Sequence, residues 1–525
     1  MKRTDFLCLL FILAMFLQGC SGTKLIRSFA SNQSIKNPEK HTKYLKLHLK
    51  DGGLYVLNSW VVSHTSDTIF GFGSLYNYKR QKIRIIQAEP SPKVSQTDRF
   101  SIAKEDIILA ETNMLEKYNA NIAAISVIGV PMALVTVYCI TNPKACFGSC
   151  PTFYAMENNQ WTMMAEGFSS SISPSFEKKD IDMLYWADEP NGEVTLKLTN
   201  EALETHVIRY VDLLLFPKSP GELVFSTEEE QFFRTSNIKN PISCKAEEGD
   251  CLDLVKEMDR QERFSAADSK NLAQKEEILF SFNNDPFARQ GLLIGSKQTL
   301  LTTHLFYNVM AYTGTYYGTL VAEVENGNTH AKSRIQKLWD KLGGIEIYLQ
   351  KEDKKWVKID EINEMGPIAS DVHLVKLPAV KQDKMNMKLR LTKGLWRIDY
   401  LALAAITGEE SPLRIQPSLV LNNDSTDQKA FSQLTGQKEP LVTMPGDQYT
   451  LHYKIPEDCT YQYFLESKGY YLEWMREGWL EEEDLKKAAF AFYFPGRFMR
   501  KAAPEYKKVE PLMEKIFWES RYVRK

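Results

Sequence analysis

Hydrophobic and polar positions along this chain change rhythm several times, and each rhythm predicts a different element. Apolar residues run unbroken from Phe6 to Leu17, behind Lys2 and Arg3 and ahead of Leu17-Gln18-Gly19-Cys20. Residues 21 to 40 are polar and aperiodic, the pattern of a tether with no fold of its own. From Tyr44 to Ile86 short alternating runs (Tyr44, Leu45, Leu47, Leu49, then Leu54 to Leu57) flank Asp51-Gly52-Gly53, a hairpin signal. They predict a small β-domain over residues 41–115 whose strands end near Asn113. Residues 118–143 contain no charged side chain and are long enough to span a bilayer, but Gly129 and Pro131 interrupt them. They are read as an apolar helix, buried or membrane-associated.

Beyond Pro151 the rhythm is that of strands, at Val194 to Thr199 and Val207 to Phe216, closed by Pro217 and Pro220. Ser236 to Ala273 reads as loop followed by helix. Residues 298–322 carry His304, Asn308, Tyr312 and Tyr316 and read as a buried helix pair around Gly314. From Gly343 strands return at Ile345 to Leu349, Trp356 to Ile359, Val372 to Leu377, Met387 to Thr392 and Trp396 to Ile406. Turn residues separate each pair, which predicts an antiparallel sandwich. Two stretches are similar: Leu196-Lys197-Leu198-Thr199 with Arg209 to Leu213, and Leu389-Arg390-Leu391-Thr392 with Arg397 to Leu401. Related β-modules and chance likeness between amphipathic strands both account for this. The last sixty residues, rich in Glu, Lys and aromatics, predict helices broken by Pro495, Pro504 and Pro511. The fold class expected is multi-domain and mainly β with helical segments (α+β): antiparallel β-sandwich modules, a small N-terminal β-domain and a helical C-terminal region. The divisions are a β-module with a helical insert at 144–335, a β-sandwich at 336–460 and helices at 461–525.

At 525 residues the chain exceeds one core and should form about three domains. Sixty-five basic residues against sixty-seven acidic ones give a net charge of −2 without long single-sign blocks, which argues against nucleic acid as a partner. The N-terminal pattern is that of a secretory signal at 1–19. Leu17-Gln18-Gly19-Cys20 resembles the lipobox of bacterial lipoproteins, in which the residue matching Cys20 carries acyl chains such as palmitate and everything before it is removed. The resemblance implies a lipidated tether at 20–40. Acyl chains bury about 0.8 kcal/mol of apolar surface per methylene, so two or more hold a folded body at a bilayer. A lipidated Cys20 also places the start of the 118–143 stretch outside the cytoplasm, whereas Arg99, Lys104 and Lys117 precede that stretch and only Lys144 follows closely. The positive-inside rule opposes that orientation. By analogy with lipoprotein sorting, Ser21 favours the outer membrane; the side is open.

Cys146 and Cys150, four residues apart around Gly148, are candidates for a disulfide, a redox or metal pair, or free thiols. Cys244 and Cys251 flank an acidic loop and should pair in an oxidising envelope. The eight His residues form no i, i+4 pair, so no metal site is expected and no cofactor is implied. The Gly-x-Ser-x-Gly, phosphate-loop and dinucleotide motifs are absent. Glu466, Glu473 and Glu477 beside Trp474 and Trp479 read either as an acidic aromatic cleft or as a solvated helix face. Trp356, Trp396 and Tyr400 on the expected sandwich offer faces for a sugar ring, with Arg397 and Asp399 for its hydroxyls; core packing is the alternative.

Gly343 to Ile406 is distantly similar to a galactose-binding-type β-sandwich, through its strand spacing and its Leu-Arg-Leu-Thr…Trp-Arg-Ile-Asp ending. The strings Cys146-Phe147-Gly148-Ser149-Cys150-Pro151-Thr152-Phe153-Tyr154, Leu196 to Glu201 and Glu466 to Trp474 resemble an uncharacterised family of large bacterial lipoproteins, which supplies no catalytic residue. The expectation is a lipid-anchored envelope protein that contacts membrane lipid through Cys20 and binds a glycan or an envelope protein through its β-modules. A glycan-active hydrolase and a structural subunit of an envelope complex are the alternatives.

Overall fold

A computed structural model describes residues 21–29, 35–36, 45–49, 53–63, 67–76, 82–86, 99–119, 150–172, 176–185, 187, 192–202, 204–286, 288–317, 329–363, 366–436, 439–473 and 482–519. Cys20, the apolar stretch beyond Asn119, Cys139 and Cys146 lie outside them. The chain divides into two compact units: residues 1–142 with 310–326 and 475–485, and residues 143–309 with 327–474 and 486–525.

The first unit contains a seven-stranded antiparallel sheet of Ser21–Phe29, Leu45–Leu49, Leu54–Val62, Thr68–Tyr76, Lys82–Ile86, Phe100–Ala103 and Ile107–Asn119. Alternate residues Leu45, Leu47, Leu57, Ile69, Phe100 and Ile102 are buried together on one face, as period-two patterning requires. Ser21–Phe29, expected to be an unstructured tether, is a strand paired with Ile107–Asn119 from Ser21 opposite Asn119 to Phe29 opposite Glu111. The reason is tertiary. The thirteen-residue Ile107–Asn119 strand outruns its other neighbour, Leu45–Leu49, and its remaining donors and acceptors need a partner.

The second unit is built from four sheets. The first holds Thr152–Glu157, Gln160–Glu166, Glu193–Thr199, Leu419–Asn422, Ser425–Thr426 and Gln448–Lys454. The second holds Lys178–Met183, Glu204–Pro217, Leu413–Ile415, Leu441–Thr443 and Tyr461–Glu473. They share a core of Phe153, Leu196, Leu198, Val211, Leu213, Leu451, Tyr463 and Leu465, which makes them a sandwich. On its other face the second sheet packs Leu214, Phe216 and Phe464 against Val224, Phe225, Leu293 and Leu374 of a third sheet. Cover on both faces is why Glu204–Pro217 is buried almost throughout instead of alternating, with the unbroken apolar run Leu213 to Phe216 at its end. The third sheet comprises Glu222–Ser226, Phe232–Lys239, Arg263–Phe264, Gln290–Gln298, Asp371–Lys376 and Trp396–Glu410, and the fourth Ser243–Ala246, Gly249–Asp250, Lys275–Asn283, Ile345–Gln350, Trp356–Ile362 and Lys384–Thr392.

Strands from both sides of the sequence division at 335/336 share the third and fourth sheets. The first and second sheets combine residues 152–217 with 413–473. The two similar stretches occupy like positions: Glu193–Thr199 of the first sheet turns into the long Glu204–Pro217 strand of the second, and Lys384–Thr392 of the fourth into the long Trp396–Glu410 strand of the third.

Three further elements differ from the sequence reading. Ser236–Ala273 forms the end of Phe232–Lys239, the short strands Ser243–Ala246, Gly249–Asp250 and Arg263–Phe264 and a 3-10 turn at Leu252–Leu254 where a loop and helix were expected; Asp250 and Asp259 carboxylates take the backbone N–H groups of Leu252 and Gln261. Tyr461–Glu473, placed by sequence in the helical region, is a strand of the second sheet, consistent with its run of aromatics. Pro504 and Pro511 lie inside one helix, Pro495–Glu519. Both prolines are exposed, while Phe498, Met499, Ala503, Tyr506 and Met513 form the buried stripe that holds the helix together. Leu301–Thr313 is a helix as expected, ended by Gly314 at φ +48°, and Thr329–Leu342 is another. Among the described residues no helix is long and apolar enough to cross a membrane, which leaves strands out of account.

Candidate functional site

A β-bulge builds the most chemically loaded part of the second unit. In the pairing of Glu204–Pro217 with Tyr461–Glu473, Ile208 faces Gly469 and Tyr210 faces Lys468, so Arg209 is an extra residue. The insertion flips the facing of every side chain before it. Glu204, His206 and Ile208 consequently share the face of Val211 and Leu213. Gly469 is required opposite the bulge, since a Cβ there would lie 2.2 Å from the Val207 carbonyl oxygen and 2.8 Å from Phe168.

On that face lies a chamber of about 60 Å³ lined by Glu166, Glu204, Glu473, Tyr307, Tyr471 and Cys150, among others. Such a volume holds a few waters or one small polar group. Glu166, at the end of its strand, accepts a 2.7 Å bond from the Ile368 N–H and lies against Gly366, where a Cβ would fall 2.0 Å from its Oε2. Glu204 Oε2 lies 3.0 Å from His206 Nε2, both fully buried. Tyr307 donates to Glu473 at 2.7 Å, and Tyr471 donates to the Ser169 carbonyl at 2.9 Å. Burial, then the charges of Glu166 and Glu204, push the Cys150 thiol far up, so it is no thiolate nucleophile at neutral pH. Burial pushes the Tyr471 phenol up as well.

The chamber shares Ile172, Gln298, Thr302 and Trp339 with a wider groove of about 580 Å³. Trp339 and Phe176 give this groove aromatic surface, and Lys178, Glu228, Glu361 and Asn363 give it donors and acceptors. Behind Glu166 lies further buried acid. Asp182 is held well above the usual carboxylate range by burial, then by Asp180, Asp371 and Glu166, and burial raises Asp180 too. Burial opposes charge on His373, but Asp371, 3.0 Å from its Nδ1, prevails and raises the imidazole. Among the described residues, no three or more His, Cys, Asp or Glu side chains are grouped to hold a metal ion.

The sequence-derived candidates fall elsewhere. Trp396 is 0% exposed, and Asp399 and Tyr400 are buried with it, because Trp396–Glu410 runs through the middle of the third sheet. None of the three presents a face to a ligand. Arg397 is occupied by Glu514 at 3.0 Å and Glu262 at 3.4 Å and stacks on Phe264. Trp356 is half-buried on the fourth sheet under Lys388. Glu466 and Glu473 sit seven residues apart on one strand and so face opposite ways: Glu473 lines the chamber, and Glu466 binds Tyr210 and Arg414 at 2.8 Å each. Trp474, Glu477 and Trp479 lie outside the described residues. Cys244 and Cys251, expected to pair, are buried free thiols with sulfurs 2.9 Å apart. Cys150 points its thiol at the Ser169 carbonyl, 3.8 Å away.

Asp399 gives a pH-dependent expectation. Burial, then Glu262 and Asp259, lift its carboxyl to about 6 from an ordinary 3.8. The folded state therefore binds this proton more tightly than the unfolded state does. The contribution is full below the unfolded value and is lost as pH rises through about 6. Asp399→Asn should stabilise the fold at pH 8 by about 1 kcal/mol after allowance for solvent screening, and make no difference near pH 4. Urea denaturation at both pH values checks this.

No family model matches the chain, and no curated protein matches it. Its fold class, as observed, is a mainly β protein of several antiparallel sheets with a helical C-terminal region. Among solved structures it was compared with a β-porphyranase of glycoside hydrolase family 86 from the human gut bacterium Bacteroides plebeius, at 7% identity and a TM-score of 0.16, over 44% of this chain and 37% of that one. It was also compared with the glycoside hydrolase family 31 α-xylosidase of Xanthomonas citri, at 7% identity and a TM-score of 0.15, over 85% of this chain and 38% of that one. The chain thus spans less than two fifths of either, and TM-scores this low do not establish a common fold.

Proposed function

We propose that this is a lipoprotein of the bacterial cell envelope, anchored in the outer membrane through acyl chains on Cys20, whose second unit binds a glycan in the Trp339 groove. The observation that carries the binding role is the groove itself. A space of about 580 Å³ takes a short oligosaccharide, Trp339 and Phe176 offer apolar faces to sugar rings, and carboxylates and amides supply hydroxyl partners. The address rests on the Leu17-Gln18-Gly19-Cys20 string and the basic and apolar residues before it. Intact-mass measurement on separated membranes tests it, because an acylated N-terminal Cys20 supports the anchor and an unmodified one removes it.

For the groove, the full chain carrying Cys20→Ser is titrated against a panel of neutral, amino and acidic oligosaccharides. Trp339→Ala is expected to weaken the best binder by more than tenfold, since an aromatic anchor typically dominates such sites. Equal affinity in the variant, or no binder at all, overturns the reading. A hydrolase remains the second reading, because two buried carboxylates, Glu166 and Glu204, line one chamber next to the groove. Release of reducing ends that is abolished by Glu166→Gln would favour it over binding alone.

A further inference from the structure

The helix Thr329–Leu342 has two functional faces. Ile335, Gln336, Trp339 and Asp340 line the groove. At 3.6 residues per turn, Arg334, Lys337 and Lys341 fall on the opposite face, and all three are exposed. This helix packs against Pro495–Glu519. There the basic face continues with Arg497, Arg500 and Lys501, within a stretch, residues 485–504, that contains no Asp or Glu. Arg497, Arg500 and Lys501 are exposed. Among the described residues, none of Arg334, Lys337, Lys341, Arg497, Arg500 and Lys501 is in an ion pair. A chain of net charge −2 has thus gathered six unneutralised cations on two adjoining helices.

Aromatic rings stand among these charges. Where Leu485–Tyr493 gives way to Pro495–Glu519, Tyr493 is 58% and Phe494 51% exposed, although a soluble body ordinarily covers rings of this size. Arg334 lies over the Tyr493 ring at 4.7 Å, joining the two helices, and Arg497 over Phe494 at 5.6 Å. Exposed aromatics at a helix corner, with cations over their rings, match a bilayer interface, where rings settle at headgroup depth and basic groups meet lipid phosphates.

We propose that this basic aromatic face docks on an anionic lipid bilayer. The helix that forms one wall of the groove then also lies on the membrane, with Trp339 on the side away from the lipid. The proposal does not depend on glycan binding or on acylation of Cys20.

The test is co-sedimentation of the full chain carrying Cys20→Ser with vesicles of phosphatidylcholine alone and of phosphatidylcholine and phosphatidylglycerol in equal parts. Binding is expected only to the anionic vesicles and should weaken with salt. Arg497→Glu/Arg500→Glu/Lys501→Glu should weaken it tenfold or more. Tyr493→Ser/Phe494→Ser, which leaves the charge intact, should also reduce it, and circular dichroism verifies that both variants are folded. Equal binding to neutral vesicles, or undiminished binding by the charge-reversed variant, overturns the proposal. So does binding to duplex DNA or heparin without binding to anionic vesicles, which would assign the face to another polyanion.

Discussion

Arg263→Ala should destabilise the second unit by about 3 to 5 kcal/mol, among the largest single-residue effects expected in this chain. Arg263 is fully buried and holds two carboxylates in paired bonds. Its Nε and one terminal nitrogen reach Glu248 at 2.7 and 2.8 Å, and both terminal nitrogens reach Glu276 at 2.7 Å. Glu276 is itself buried and also receives the Ser265 hydroxyl at 2.6 Å. Removing the guanidinium leaves the Glu276 charge without its counter-ion in a medium that solvates it poorly, and that desolvation exceeds the loss of the bonds themselves. Arg263→Lys should rescue little, because one ammonium cannot make two forked contacts. Arg263→Met with Glu276→Leu should recover most of the loss, since it removes both charges and fills the space. Urea denaturation of the three variants decides the matter; a loss under 1 kcal/mol in Arg263→Ala would show that water reaches Glu276.

Gly469→Ala is the second large effect, because it strikes the backbone that aims Glu204 into the chamber. The added Cβ would lie 2.2 Å from the Val207 carbonyl oxygen, a backbone atom with no rotamer by which to yield. Strands must part or the bulge at Arg209 must slip, at a cost of about 3 kcal/mol or more. Slippage would turn Glu204 and His206 towards the third sheet. Thermal melting should therefore fall by several degrees, and any ligand affinity of the groove should fall with it. An unchanged melting temperature would mean that the bulge is not fixed by this contact.

Several strands of the second unit were legible because each is apolar or alternating and bounded by turn residues. Val194 to Thr199 was expected and Glu193–Thr199 is found; Trp396 to Ile406 was expected and Trp396–Glu410 is found. Leu45–Leu49 and Leu54–Val62, the strands flanking the expected hairpin, are paired antiparallel, and the Leu49 N–H donates to the Gly53 carbonyl at 2.9 Å; Asp51 and Gly52 lie outside the described residues. Misreadings arose where local preference was overruled. Glu, Lys and aromatics near residue 470 read as helix by composition, yet a thirteen-residue strand slot beside Glu204–Pro217 claims them.

The candidate site was far less legible. Trp356, Trp396 and Tyr400 drew notice as aromatics on a strand, but Trp396 and Tyr400 are buried on a strand paired along both edges, and Trp356, on the edge strand of the fourth sheet, is half-buried under Lys388. Glu166, Glu204, Tyr307, Trp339 and Glu473 come from positions up to 307 residues apart, if one counts from Glu166 to Glu473, and no two form a motif. The bulge that brings Glu204 to their side leaves one faint trace, a glycine at 469 amid bulky neighbours.

By itself the sequence determined where several of the strands and the Leu301–Thr313 helix lie, the signal-like start of the chain and the lack of familiar catalytic motifs, because each follows from neighbours within a few residues. Only the tertiary structure decided which strands share a sheet, which aromatics are core, and that five distant side chains meet at one chamber. Strand pairing and burial are set by contacts between residues hundreds of positions apart, and side-chain periodicity records which face is apolar without recording what will cover it.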